Sequence, residues 1–356
     1  MSSVAFIDFE TRSTVDIQRA GSDVYARHPH TDILCLAYAF DDGEVRLWKN
    51  GDSPPTDLLD HVRLGGKVVG HNVAGFEVPI WNFVAVPKFS WPQISIAQVY
   101  CPMASAYAMA LPGSLEKAAA AVGIDAQKDL KGHRVMLVLS RPKGFLDSGE
   151  PEWHELESAP EKFAALYKYC EQDVEVERQL YKRLAPLSPK EREVWMLDFK
   201  INQRGVQVDI PAAKAALKIA DLEKARYNER IRKITKQFVT TYNSSSRFRD
   251  WLISRGVDVP GVAKADVVEV LSDPNLPSDC REALILRQEA AKSSTAKLEA
   301  MIVSTCPDGR MRGILQYHGA GTGRWAGRRA QLHNLPSPKI PQSAIDSVFK
   351  VLEQGI

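Results

Sequence analysis

The sequence predicts an α/β domain over residues 1–185 followed by a mostly helical region over residues 186–356. Three observations predict it. Short apolar runs come first and helical periodicity comes after, with mixed order early on. At the junction, Leu184-Ala185-Pro186-Leu187 leads into Ser188-Pro189-Lys190-Glu191, a capping box with proline at the first helical position. The charge balance also changes sign there: residues 1–185 carry 19 Lys+Arg against 25 Asp+Glu, and the remainder 27 against 19. That asymmetry points the second half toward a polyanion.

The elements follow in order. Val4 to Ile7 is a short, bounded apolar run, read as a buried strand. Ile33 to Phe40 and Glu44 to Lys49 read as two more strands joined by an Asp41-Asp42-Gly43 turn, and Lys67 to Asn72 as a fourth. A short helix from about Pro55 to Leu64 ends at Gly65-Gly66. Helical spacing runs from Phe76 to Val86 with a break expected near Pro87, and small-residue helices follow over 102–111 and 114–122. Ser158 to Glu161 reads as a capping box opening a long helix to about Leu184. Beyond the junction, helices are expected over 195–203, 211–238, 247–254, 264–271, 279–305 and 343–352, with an extended piece at 205–209 and loop over 309–341.

The chain is 44% hydrophobic and 25% charged, ordinary for a globular protein, and no apolar run approaches the roughly 20 residues of a membrane span. No membrane partner is therefore expected. Its five cysteines, Cys35, Cys101, Cys170, Cys280 and Cys306, show no zinc-ligand spacing. They read as free thiols of a reducing cytoplasm.

Candidate chemistry begins at Val4–Thr11, VAFIDFET. Asp8 and Glu10 share one face of the strand and Phe9 takes the other. Paired carboxylates repel unless a cation sits between them, so the pair reads either as half a metal site or as a solvated strand end. Two further acids decide between these. Glu77 follows Asn72 and Phe76 where a strand gives way to a helix, a first-turn position that suits a carboxylate. Tyr169 and Asp173 stand four apart on the long helix, hence on one face.

Acid-x-acid on a first strand, Asn-x-x-x-Phe-acid at a strand–helix junction and Tyr-x-x-x-Asp on a late helix resemble the three exonuclease motifs of the DEDD 3′–5′ exonuclease superfamily. The tyrosine is similar to that of proofreading domains of DNA polymerases. The resemblance implies an RNase H-like fold, with Asp8, Glu10, Glu77 and Asp173 holding two divalent cations (Mg²⁺ or Mn²⁺) and Tyr169 orienting the attacking water. One departure is Glu77, where the family usually has aspartate; tolerance of the longer side chain is expected.

The second half resembles the start of a family-A DNA polymerase domain. Leu197 to Asp209 is similar to its entry helix and turn, and Ser244 to Gly256 to its thumb segment. His318-Gly-Ala-Gly-Thr-Gly-Arg324, running on to His333-Asn334-Leu335-Pro336, is similar to the stretch that contacts template and primer before the palm. The resemblance implies DNA contacts by Thr322, Arg324, Arg328, Arg329 and Asn334, with Asn72 serving either the substrate or the strand end. Arg310, Arg312 and Lys339 add to a run between Asp308 and Asp346 that contains no acid, and guanidinium groups on glycine-rich loops suit phosphate.

Palm carboxylates and fingers would follow Pro336, so polymerisation by this chain alone is not expected, and a separate chain could carry them. The expected function is a metal-dependent 3′–5′ exonuclease in DNA replication, taking a single-stranded DNA 3′ end in the exonuclease site and primer-template along the basic half. The expected setting is the cytoplasm of a bacterial host, with phage or prophage origin. The alternatives are an RNA-directed exonuclease of the same superfamily and a non-catalytic DNA-binding subunit of a split polymerase.

Overall fold

The structure is a computed structural model that describes residues 3–124, 129–291, 295–335, 337 and 339–353. It forms two compact units, Met1–Val208 with Val303–Asn334, and Asp209–Ile302 with Leu335–Ile356. These units do not divide at residue 185. The helix Pro189–Arg204 and the stretch after Val303 pack into the first unit. The reason is local pairing: Val206–Gln207, expected as merely extended, forms an antiparallel ladder with Arg310–Met311. The expected loop over 309–341 also contains a small hairpin, Leu315–Gln316 against Ala326–Gly327.

The first unit is built on a mixed five-stranded sheet. Its strands are β1 (Val4–Arg12), β2 (Asp32–Phe40), β3 (Arg46–Lys49), β4 (Lys67–Val69) and β5 (Val99–Tyr100), in the order β3-β2-β1-β4-β5. β1 is central, antiparallel to β2 and parallel to β4. Strict alternation along β1 fills two separate cores. Ala5, Ile7 and Phe9 enter the large cluster with Trp81 and Trp91, while Phe6 packs with Ala37, Ala39, Val69, Cys170 and Val174 beneath the long helix Pro160–Arg183. Burying each such large apolar side chain contributes roughly 1.5–3 kcal/mol, which fixes the register. A one-residue slip would turn Asp8 and Glu10 into the larger core. The ladder breaks only at Glu10/Thr11, which face Cys35 and Ile33, leaving Leu34 as the extra residue of a bulge.

Two expectations at helix ends are corrected. The long helix starts at Pro160 with Ala159 as its cap, not at Ser158. The Ser158 hydroxyl instead donates to the Glu155 carbonyl, and Pro160, needing no N–H partner, opens the helix by itself. Nor does the helix after Glu77 break at Pro87. Trp81–Ala85 widens into a π turn, and the helix resumes over Val86–Phe89 with Pro87 in the new first turn, where a missing N–H costs nothing. Apolar spacing also missed the helix Leu130–Leu139 and the hairpin Gly144–Phe145/Pro151–Glu152.

The second unit is helical, with Ile210–Ile234, Ser245–Ser254, Lys264–Ser272 and Ser278–Ala290 closing on Ile231, Phe248, Leu252, Cys280 and Leu284. The expected helix over 279–305 passes through 292–294, outside the described residues, and helix is found on either side at Ser278–Ala290 and Ala296–Val303. Helix Gln342–Glu353 matches the expected one. Among the described residues no helix is long and apolar enough to cross a membrane.

Candidate active site

The alternation that buries Phe6 carries Asp8 and Glu10 onto the same face of β1, against the long helix. Register sets Asp8 opposite Ala37 and Glu10 opposite Cys35 on β2, so small residues leave room for both carboxylates. From the helix side, the Cys170 thiol donates to the Asp8 carboxylate and to its carbonyl, each at 3.4 Å. Asp173, one turn later, receives the Tyr169 hydroxyl, as the four-residue spacing requires. Glu77 opens the helix Glu77–Ile80 and is 2% exposed.

These five residues come together, and their electrostatics show it. Burial, then the nearby Asp173, holds the Asp8 carboxyl well above the usual carboxylate range. Glu10 is raised by burial and by Asp8, Cys35, Asp173 and Glu77; Glu77 by burial and by Asp8. Asp173 is pushed up to about 6, chiefly by burial, although its bond from Tyr169 works the other way. The Tyr169 hydroxyl is raised by burial and by the same acids, so it stays a donor at neutral pH. Carboxylates that raise one another are charges lacking a counterion.

Sequence reasoning missed a further member, Glu177. It is 1% exposed, is raised by burial and by Glu77 and Asp8, and accepts the backbone N–H of His71. Its spacing of four from Asp173 on the same helix face was a legible signal. Asp129 also bears on Asp173, from the cap of the helix Leu130–Leu139.

The donor set suits a hard divalent cation. It is all carboxylate oxygen, and two of those oxygens, Glu77 Oε2 and Glu177 Oε1, are buried without a hydrogen-bond partner. Among the described residues, however, no three His, Cys, Asp or Glu side chains stand as a preformed cation cage.

The expected DNA-contact residues lie apart from this cluster in the sequence and differ in character. Asn72 takes a left-handed conformation (φ 67°) at the strand–helix junction and faces a cavity. Thr322 and Arg324 are exposed and paired, Arg324 Nε donating to Thr322 Oγ1 at 3.1 Å. Arg328 is exposed, whereas Arg329 is half-buried and donates to the Gln18 carbonyl. Asn334 donates to Gln331, and Pro336 lies outside the described residues. Two of the basic residues are structural: Arg310 donates to the Arg204 and Gly205 carbonyls, and Arg312, 9% exposed, pairs with Asp308.

No protein-family model matches the chain. It is 35% identical over 359 aligned residues to the DNA polymerase of Bacillus phage SP02, covering 98% of this chain and 53% of that protein. The chain thus spans about half the length of this curated relative. Its fold is similar to that of the POL domain of Pol1 from M. smegmatis, solved with DNA primer-template and dNTP, at TM-score 0.54 and 13% identity over 95% of this chain and 53% of that one.

Proposed function

We propose that this chain, which is phage DNA-polymerase-like, is a metal-dependent 3′–5′ exonuclease that shortens DNA from its 3′ end during replication. The observation that carries this reading is the buried group Asp8, Glu10, Glu77, Asp173 and Glu177, whose charges have no cation among them to offset them. The sheet order and the placement of Asp8 and Glu10 on its central strand support the RNase H-like reading of the domain.

Asp8, Glu10, Glu77 and Asp173 would hold the cations. Two divalent cations, when bound, supply the Lewis acidity that activates water and stabilises the departing 3′ oxygen. The chain's own residues do the rest. Burial of the acids keeps solvent from competing for them. Tyr169, tethered to Asp173, offers a hydroxyl that orients the water for attack on the terminal phosphodiester. Glu177, by accepting the His71 N–H, fixes the junction from which Glu77 springs. Exposed Arg324 and Arg328 suit the phosphates of the strand.

The test is shortening of a 5′-labelled single strand with Mg²⁺ or Mn²⁺, compared between DNA and RNA of the same sequence. Loss of 3′ nucleotides from DNA, abolished by EDTA, supports the reading; preference for RNA would reassign the substrate.

A further inference from the structure

Beside the carboxylate cluster, the same compact unit holds a cavity of about 600 Å³ that the exonuclease reading does not use. It lies between the His71–Gly75 turn, the helix Pro189–Arg204 and the hairpin that follows Gly313. The hairpin is tied to the helix by Asn202, which donates to the Leu315 carbonyl and accepts the Leu315 N–H. This is a built wall.

Its lining is unusual in what it leaves unmade. Asp23 Oδ1, His71 Nδ1, Asp198 Oδ1, Gln316 Oε1 and Arg329 Nε are all buried without a partner among the described residues. Each such group costs about 1–3 kcal/mol unless something satisfies it. Four of the five are acceptors. His71 Nε2 lies 2.8 Å from the Gly113 carbonyl and so carries the proton, which leaves Nδ1 with its lone pair. Burial lowers its pKa to about 4, keeping the ring neutral. Asp198 uses Oδ2 to accept from Asn202, and burial without a cationic partner pushes its pKa up to about 7. The cavity therefore asks for a donor-rich ligand.

Two features narrow the class. Trp195, Phe199 and Tyr107 add flat apolar surface, which suits an aromatic ring. Arg328 is exposed and Arg329 half-buried on the same lining, which disfavours a polyamine and suits a phosphate. We propose that this cavity binds a nucleotide whose base carries an exocyclic amino group, the amino group meeting the free acceptors and the phosphate meeting Arg328. A free mononucleotide and a nucleotide within a single strand share that chemistry.

The test uses the full chain in EDTA, titrated calorimetrically with dAMP, dGMP, dCMP and dTMP, and with single-stranded trinucleotides of each base. The amino-bearing nucleotides are expected to bind below about 1 mM and dTMP at least about tenfold more weakly, the worth of one satisfied buried acceptor. Asp198→Asn should reduce that preference. Gln316→Leu gives the same readout should the first variant not fold. Binding only by trinucleotides, still weakened by Asp198→Asn, places the ligand within a strand and supports the proposal. No binding in this range, equal binding of dTMP, or a preference untouched by either variant would overturn it.

Discussion

The Glu177 carboxylate accepts the backbone N–H of His71, joining the long helix to the turn that precedes Glu77. A buried acid thus serves as a structural acceptor while its other oxygen has no partner. Removing the acceptor is expected to cost more than removing the charge. Glu177→Ala should destabilise by about 1–3 kcal/mol, since the His71 N–H is left unmade. Glu177→Gln keeps an acceptor and relieves repulsion from Glu77 and Asp8, so its melting temperature in EDTA at neutral pH should match or exceed that of the parent. Thermal unfolding of the two variants checks the order.

The acids also set the pH dependence of stability. Asp8, Glu10, Glu77, Asp173 and Glu177 all titrate above their unfolded values, so the folded chain binds more protons than the unfolded one. Stability must then fall as pH rises from the unfolded carboxylate range through about 6, where Asp173 ionises. Melting in EDTA should follow that sign. Mg²⁺ should raise the melting temperature most at the alkaline end and flatten the curve, because a ligand that favours the ionised acids stabilises the state that holds them.

Tyr169→Phe separates chemistry from packing. The ring remains, and only the hydroxyl donated to Asp173 is lost. Exonuclease kcat is expected to drop by about 10²-fold, in the range for a group that positions a reacting water. Stability should change by no more than about 1 kcal/mol. Single-turnover digestion and thermal unfolding read the two separately.

Gly132→Ala probes the wall behind Tyr169. A Cβ at Gly132 would lie 2.8 Å from Tyr169 Cδ2 and 2.5 Å from Asp129 Oδ2. Alanine would otherwise favour this helix by about 1 kcal/mol. The aspartate tip can swing away but the ring cannot, so the clash should win. The variant is expected to lose activity through displaced Tyr169, with a smaller change in melting temperature.

Much of this arrangement was legible in the sequence. The alternation of Phe6, Asp8 and Glu10 against Ile7 and Phe9 gives the faces of β1 directly, and the Ser188 cap is found as read, its side chain accepting from the Glu191 N–H. What escaped was decided by contacts distant in sequence. Val206–Gln207 becomes a strand only because Arg310–Met311 lies beside it, so the compact units do not break at residue 185. Ser158 fits the capping pattern, but its hydroxyl is engaged by Glu155. Glu177 was hidden by the motif itself, which stops at Asp173. Arg312 reads as a phosphate ligand until Asp308 is seen beside it.

The most direct test of the central claim compares the chain with its Asp8→Ala variant on 5′-labelled single-stranded DNA in Mg²⁺. The account predicts stepwise loss of nucleotides from the 3′ end and a rate at least about 10³-fold lower in the variant, since a carboxylate needed by the cations is gone. Equal rates in the two proteins would contradict it.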